Sequence, residues 1–399
     1  MCYVCVPDRD TRSDDADRAD HDDRSGNRIG RRQLDAAMTR IVLFLALAAA
    51  IATPELSAAK PSRCSTACAT LGAAAACDAC LDCESSVAKS TTCPTVCGQR
   101  PQDEVFLLST RHLSCGSAGL ERPNWNVWLL NDTSWTPAPT DALFAPQPGV
   151  RTVVYVHGNR VDANYAVEGG LRVYRNLIPC ADDAPIRFII WSWCADQIRG
   201  PIKDARLKAN VADHEAVLFG RFLSRFENDD HVGLIGFSYG SRIVTGGVHL
   251  IGGGTWCGYR VPDTSLPNLH ITLWAAAEGN DWLLPCGNHS AAVPICGDWL
   301  IAINCCDPAL RRYPMFEKGV DALGYTGLNA SAWGDYAKGI RQMQVSHLVG
   351  CDHQSRIYPE SPGVMAATRA VVLRPAPIVV ESAPASQPVP ASQLMPVGQ

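Results

Sequence analysis

The residues whose types and spacing most plainly suggest chemistry are Gly236-Phe237-Ser238-Tyr239-Gly240. A serine hydroxyl is a weak nucleophile until a base reaches it, so it must stand exposed on a turn. Here the string ends the apolar run Val232-Gly233-Leu234-Ile235 and opens a helical stretch at Ser241, a strand–turn–helix setting. Such a turn pushes the serine out at the strand end, and small flanking residues let the helix and the next strand close in. The chemistry this allows is acyl transfer through a serine ester. In a glycine-rich chain the string also arises by accident, as an ordinary turn with a capping serine. A second strand end of interest lies upstream, where Thr152-Val153-Val154-Tyr155-Val156 runs into His157-Gly158-Asn159-Arg160.

These two turns need a scaffold, and the pattern between Asp103 and about residue 371 supplies one. Candidate strands are Val105–Ser109, Trp125–Leu130, Val150–Val156, Ile186–Trp193, Val232–Phe237, Leu269–Ala277, Trp299–Asn304 and Gln342–Val349. Several are unbroken apolar runs, as strands buried on both faces are. Helical stretches over Asn164–Leu177, Asp204–Phe226 and Ser241–Ile251 alternate with them, and a further helix starts near Ser361. The alternation predicts an α/β fold, a mostly parallel sheet flanked by helices, with function at the carboxyl ends of the strands.

A His-Gly strand end, an intervening strand over Arg187–Trp193 and then the Gly-Phe-Ser-Tyr-Gly turn together resemble the α/β-hydrolase superfamily, and its lipase- and esterase-like serine hydrolases most closely. The resemblance covers roughly Val105 to Arg369. It implies Ser238 as nucleophile and an oxyanion hole from the backbone N–H of Tyr239 with a second at or next to Asn159. It also implies the chain order serine, acid, histidine. Asp307, in Cys305-Cys306-Asp307-Pro308 after the strand Trp299–Asn304, fits the acid; Asp281, with Glu278 beside it, is the alternative one strand earlier. For the base, His353 follows Gly350-Cys351-Asp352 on a loop, whereas His347 alternates with Val345 and Val349 and reads as a packing residue of the last strand. His157 precedes the serine and reads as a stabiliser of its own turn; His249, His270 and His289 read as surface or turn residues. Trp191, Trp193, Asp196 and Arg199 read equally as a pocket mouth or as a buried strand end with a solvated loop. The resemblance implies neither metal nor cofactor, and a small-molecule or lipid-like ester as substrate. The rival expectation is a non-catalytic cell-envelope binding protein on the same scaffold, since fold alone does not confer activity.

The rest of the chain bears on where this chemistry takes place. Residues 38–59, with Arg40 ahead of the apolar stretch Ile41–Ala52 and the small residues Ser57-Ala58-Ala59 after it, read as a signal peptide. Residues 1–37, rich in aspartate and arginine, read as a disordered leader or a misassigned start ahead of Met38. Of eighteen cysteines, cleavage near Ala59 removes Cys2 and Cys5 and leaves an even sixteen, as a disulfide-bonded exported protein requires. Residues 60–100 form a small cysteine-rich module in which Cys64/Cys68 and Cys93/Cys97 each fall on one helical face, and a cell-envelope partner for it is one expectation. The hydrolase-like domain spans 101–371, and the Pro/Ala/Ser-rich residues 372–399 lack the aromatic content to fold. Cys305, Cys306 and Cys351 adjoin Asp307 and His353, so a bridge among them would stiffen both loops. A formal charge of −5 without a basic cluster excludes a nucleic-acid partner. The expected location is periplasmic, cell-envelope or extracellular; the oligomeric state is open.

Overall fold

The computed structural model describes residues 98–113, 124–147, 149–262, 265–317 and 319–374. The leader, the proposed signal segment, the cysteine module up to 97 and the tail beyond 374 lie outside these residues. Among the described residues no helix is long and apolar enough to cross a membrane.

Nine strands form one sheet: β1 Glu104–Ser109, β2 Asn126–Asn131, β3 Ser134–Pro137, β4 Arg151–Val156, β5 Ile186–Ser192, β6 His231–Phe237, β7 Asn268–Trp274, β8 Cys296–Ile303 and β9 Ile340–Gln344. Their spatial order is β3-β2-β1-β5-β4-β6-β7-β8-β9. From β1 to β9 every neighbour is parallel, and only β1/β2 and β2/β3 are antiparallel. The chain therefore has an α/β fold. β4, β5 and β6 are buried along their whole length, as their largely apolar sequences favour, with Arg151, Arg187 and His231 buried at their amino-terminal ends.

Four helices cover the sheet: α1 Ala163–Leu177, α2 Pro201–Leu223, α3 Tyr239–Ile251 and α4 Pro362–Val372. α2 and α3 pack mainly on each other. Because side chains alternate along a strand, β5 serves both layers. Trp191 meets Phe219 and Phe222 of α2 edge-on, while Ile190 sits where a side chain at Gly170 of α1 would have to go. α4 returns beneath the central strands: His231 bonds the carbonyl of Val372, and a Cβ on Gly233 would lie 2.6 Å from that residue's backbone oxygen.

Three expectations need correction. The last strand ends at Gln344, not Val349; Ser346–Val349 is a single helical turn closed by Gly350 at φ 70°, so His347 is exposed rather than facing the sheet. The hairpin strand β3 was not expected, because Ser-Trp-Thr-Pro is too short and polar to register as a strand; Asp132, at φ 55°, makes its two-residue turn. His249, His270 and His289 are buried, not at the surface.

Candidate active site

The parallel register sets the carboxyl ends of four strands side by side, with Val156 opposite Gly236, Phe237 opposite Trp274, and Trp274 opposite Ala302. The loops that leave this edge after β4, β6 and β8, with the loop after β9 beside them, supply the residues of the site.

Ser238 sits between β6 and α3 with φ 54° and ψ −120°, a conformation that few non-glycine residues adopt. Backbone bonds hold it there. Its N–H donates to Trp274 O at 3.0 Å, and its carbonyl accepts from Ser241 N at 3.0 Å and Ala277 N at 3.2 Å. The glycines of the turn are there for closeness. A Cβ on Gly240 would fall 2.1 Å from Val156 O, and one on Gly236 would fall 2.7 Å from the Cα of Ser241.

His353 and Asp307 arrive on the loops after β9 and β8. The His353 ring lies 2.9 Å through Nε2 from Ser238 Oγ and 2.6 Å through Nδ1 from Asp307 Oδ2. A carboxylate only accepts, so the Nδ1 proton donates to Asp307 and Nε2 is left to accept the serine hydroxyl. Asp307 is fully buried, and its Oδ1 accepts from the N–H groups of Ala309 at 2.8 Å and Leu310 at 3.1 Å. All its partners are donors, as suits an anion. Phe237 packs against the imidazole with ring centroids 5.2 Å apart.

Two ties fasten the acid loop to the base loop. A disulfide joins Cys306 to Cys351, and the buried Asn304 donates to Gly350 O at 2.9 Å while its Oδ1 accepts from Ser346 Oγ. Asn304 has no signature in sequence; it reads as the last residue of a strand.

The His157-Gly158-Asn159 turn after β4 lies against the serine, since a Cβ on Gly158 would be 2.9 Å from Ser238 Cβ. His157 is buried, bonds Gly158 O through Nδ1 and accepts from Trp193 N through Nε2, and stacks on the Trp193 ring. Burial pushes its pKa down to about 3, so both nitrogens are occupied in a neutral ring. Tyr239 is the first residue of α3, and the first N–H groups of a helix have no partner within it. The Asn159 side chain is committed at both ends, its amide to Asp204 Oδ2 at 3.0 Å and its oxygen to Arg160 N at 2.8 Å. Its backbone N–H is therefore the group that bears on the proposed oxyanion role.

The structure does not bring Asp281 to the imidazole; it is exposed in the turn after β7. Glu278 is buried elsewhere, accepting from Thr245 Oγ1 at 2.5 Å with His289 Nδ1 3.3 Å away. Burial raises its pKa to about 7 and lowers that of His289 to about 3. Trp191 and Trp193 are core residues, and the Trp193 indole donates to His157 O at 2.7 Å, so they do not form a pocket mouth. Asp196 pairs with Arg111 and Arg199 is exposed. Among the described residues, no group of three or more His, Cys, Asp or Glu is arranged to hold a metal ion.

No family model and no curated protein matches the chain. Among solved structures it is similar to the lin2722 gene product of Listeria innocua, at 10% identity over 57% of this chain and 95% of that one, with a TM-score of 0.33. A likeness so distant carries no functional argument.

Proposed function

We propose that this chain is an exported serine hydrolase of the α/β-hydrolase type that cleaves an ester-type bond. The observation that carries the reading is the unbroken relay from Ser238 Oγ through His353 to the buried Asp307, 2.9 Å and 2.6 Å long. Such a chain costs a strained serine and a desolvated carboxylate, an arrangement that packing alone does not call for. Residues from three separate strand ends at the carboxyl edge of a parallel sheet also support it.

In this mechanism His353 Nε2 takes the Ser238 proton as Oγ attacks the ester carbonyl carbon, and the carbonyl π pair moves onto oxygen. Asp307 keeps the imidazole in the useful tautomer and stabilises the imidazolium. The backbone N–H groups of Tyr239 and Asn159 receive the oxyanion. The tetrahedral centre collapses, the C–O bond to the alcohol breaks, and the imidazolium protonates the leaving oxygen. Water, deprotonated by the same histidine, then attacks the acyl-serine, and collapse returns the proton to Ser238 Oγ and frees the acid. The disulfide between the two catalytic loops supports export to an oxidising compartment.

The test is covalent labelling of the full chain by a fluorophosphonate, with Ser238→Ala as control. The expected result is stoichiometric labelling that the substitution abolishes, together with ester hydrolysis by the unmodified protein. A folded protein that is neither labelled nor active overturns the reading and favours a non-catalytic envelope protein.

A further inference from the structure

From the geometry we infer that Asp204 is a positioning residue for the oxyanion-binding turn; the inference rests on the serine-hydrolase reading. Asp204 lies in the first turn of α2 and has no exposed surface. A buried carboxylate needs partners for both oxygens. Oδ2 accepts from Asn159 Nδ2 at 3.0 Å and Arg160 Nε at 2.8 Å, and Oδ1 accepts from Ile198 N at 3.1 Å. Two of the three donors thus belong to the turn that lies against Ser238, and the third anchors the loop after β5.

That turn needs holding. Arg160 has φ 59°, in the left-handed region that an arginine avoids unless its surroundings dictate it. The local bond from Arg160 N to Asn159 Oδ1 suits this bend, and Asp204 grips the other end of the same amide together with the Arg160 side chain. Arg160 is half-exposed, so its charge alone does not require a buried partner. The next residue is fixed independently, because Val161 pairs with Ala195 and its carbonyl accepts from Arg111. What Asp204 adds is a fixed Asn159 side chain and Asn159–Arg160 peptide, which set the Asn159 Cα and through it the preceding Gly158–Asn159 peptide that carries the proposed N–H donor. α2 is also tied to the nucleophile turn, since Tyr239 Oη donates to Ala205 O at 3.0 Å. One helical turn therefore registers both proposed N–H donors.

Asp204→Asn keeps the shape but replaces an oxygen with an NH2 group. If its oxygen serves Ile198 N, its amide faces the two donors of Asn159 and Arg160; flipped, it faces Ile198 N. Asn159→Ala removes the link from the other side and leaves the carboxylate two partners, so it serves if the first variant does not fold. The experiment measures kcat and KM for a short-chain p-nitrophenyl ester, and the affinity for a trifluoromethyl ketone, which forms a serine hemiketal with an oxyanion. The expected result for either variant is kcat lower by about ten- to a hundredfold, with ketone affinity lower by the same factor. KM stays within about twofold, and the acid limb of the pH–rate profile stays where it is, because His353 and Asp307 are untouched. A general loosening of α2 gives no such parallel between kcat and ketone affinity. Unchanged kcat and ketone affinity, or a loss confined to KM, in a protein still labelled at Ser238 overturns the role of Asp204 and leaves the hydrolase reading intact. Failure of the unmodified chain to react with fluorophosphonate overturns both.

Discussion

Removing the Cys306–Cys351 bridge tests whether the loops that carry Asp307 and His353 are held by covalent closure or by packing alone. The double variant Cys306→Ser, Cys351→Ser removes a crosslink with a sequence separation of 45. In the chain-entropy treatment, closing a loop of that length restricts the unfolded chain by about 4 kcal/mol at 25 °C, which is the stability expected to be lost. The excised loop includes β9, whose pairing with β8 persists, and Asn304 still bonds Gly350 and Ser346. The folded variant therefore keeps its site assembled in dilute buffer. Equilibrium urea unfolding, followed by tryptophan fluorescence and by ester hydrolysis, measures both effects. Global stability should fall by about 4 kcal/mol, with activity lost at a lower urea concentration than in the bridged protein. A variant whose unfolding free energy matches that of the bridged protein to within about 0.5 kcal/mol would refute the argument, because the denatured chain would then gain no freedom when the bridge is cut.

Three further outcomes follow from the geometry. Gly240→Ala sets a methyl group 2.1 Å from Val156 O, and thermal unfolding should show a loss of roughly 3 kcal/mol or more. Ser238→Gly relieves the φ 54° strain, so the inactive variant should gain about 1 kcal/mol in chemical denaturation; a loss of stability would mean the serine is not strained. Burial holds Glu278 near 7 against its ordinary 4.5, so the folded chain keeps a proton there that the unfolded chain releases between those values, and the contribution of this group to stability falls as pH climbs through them. Glu278→Gln lacks this decline and should gain on the unmodified protein by about 3 kcal/mol between pH 4.5 and pH 7.5, read as unfolding free energy at both pH values; a difference independent of pH would show that Glu278 is not the group that titrates.

The parts of the site legible in sequence were those whose physics is local. A run of apolar residues ending in Gly-x-Ser-x-Gly states strand, turn and helix within ten positions, and the order of Ser238, Asp307 and His353 along the chain needs no three-dimensional knowledge. Choosing His353 over His347 depended on loop position, which survived even though the strand before it stops five residues early. Residues whose role comes from distant partners were illegible. Asp204 sits 45 positions from Asn159 and looks like any acidic residue in a first helical turn. Glu278 and His289 belong to a buried polar cluster that apolar periodicity cannot register, because their surroundings include Thr245 and Trp256 from other segments as well as Trp282 of their own.

The order of the parts along the chain also has a temporal meaning. Ser238 and its turn are complete once β6 and α3 exist, but the histidine that contacts it is 115 residues further on. β8 and β9, which carry the loops of Asp307 and His353, add at the sheet edge after β7, and α4 must return to β6 before the central strands are covered from below. A chain synthesised only as far as α3 therefore carries Ser238 without the imidazole that contacts it. On the proposed mechanism the serine gains its base only once residue 353 has been made and brought back to Ser238, so a chain cut short of it lacks the relay.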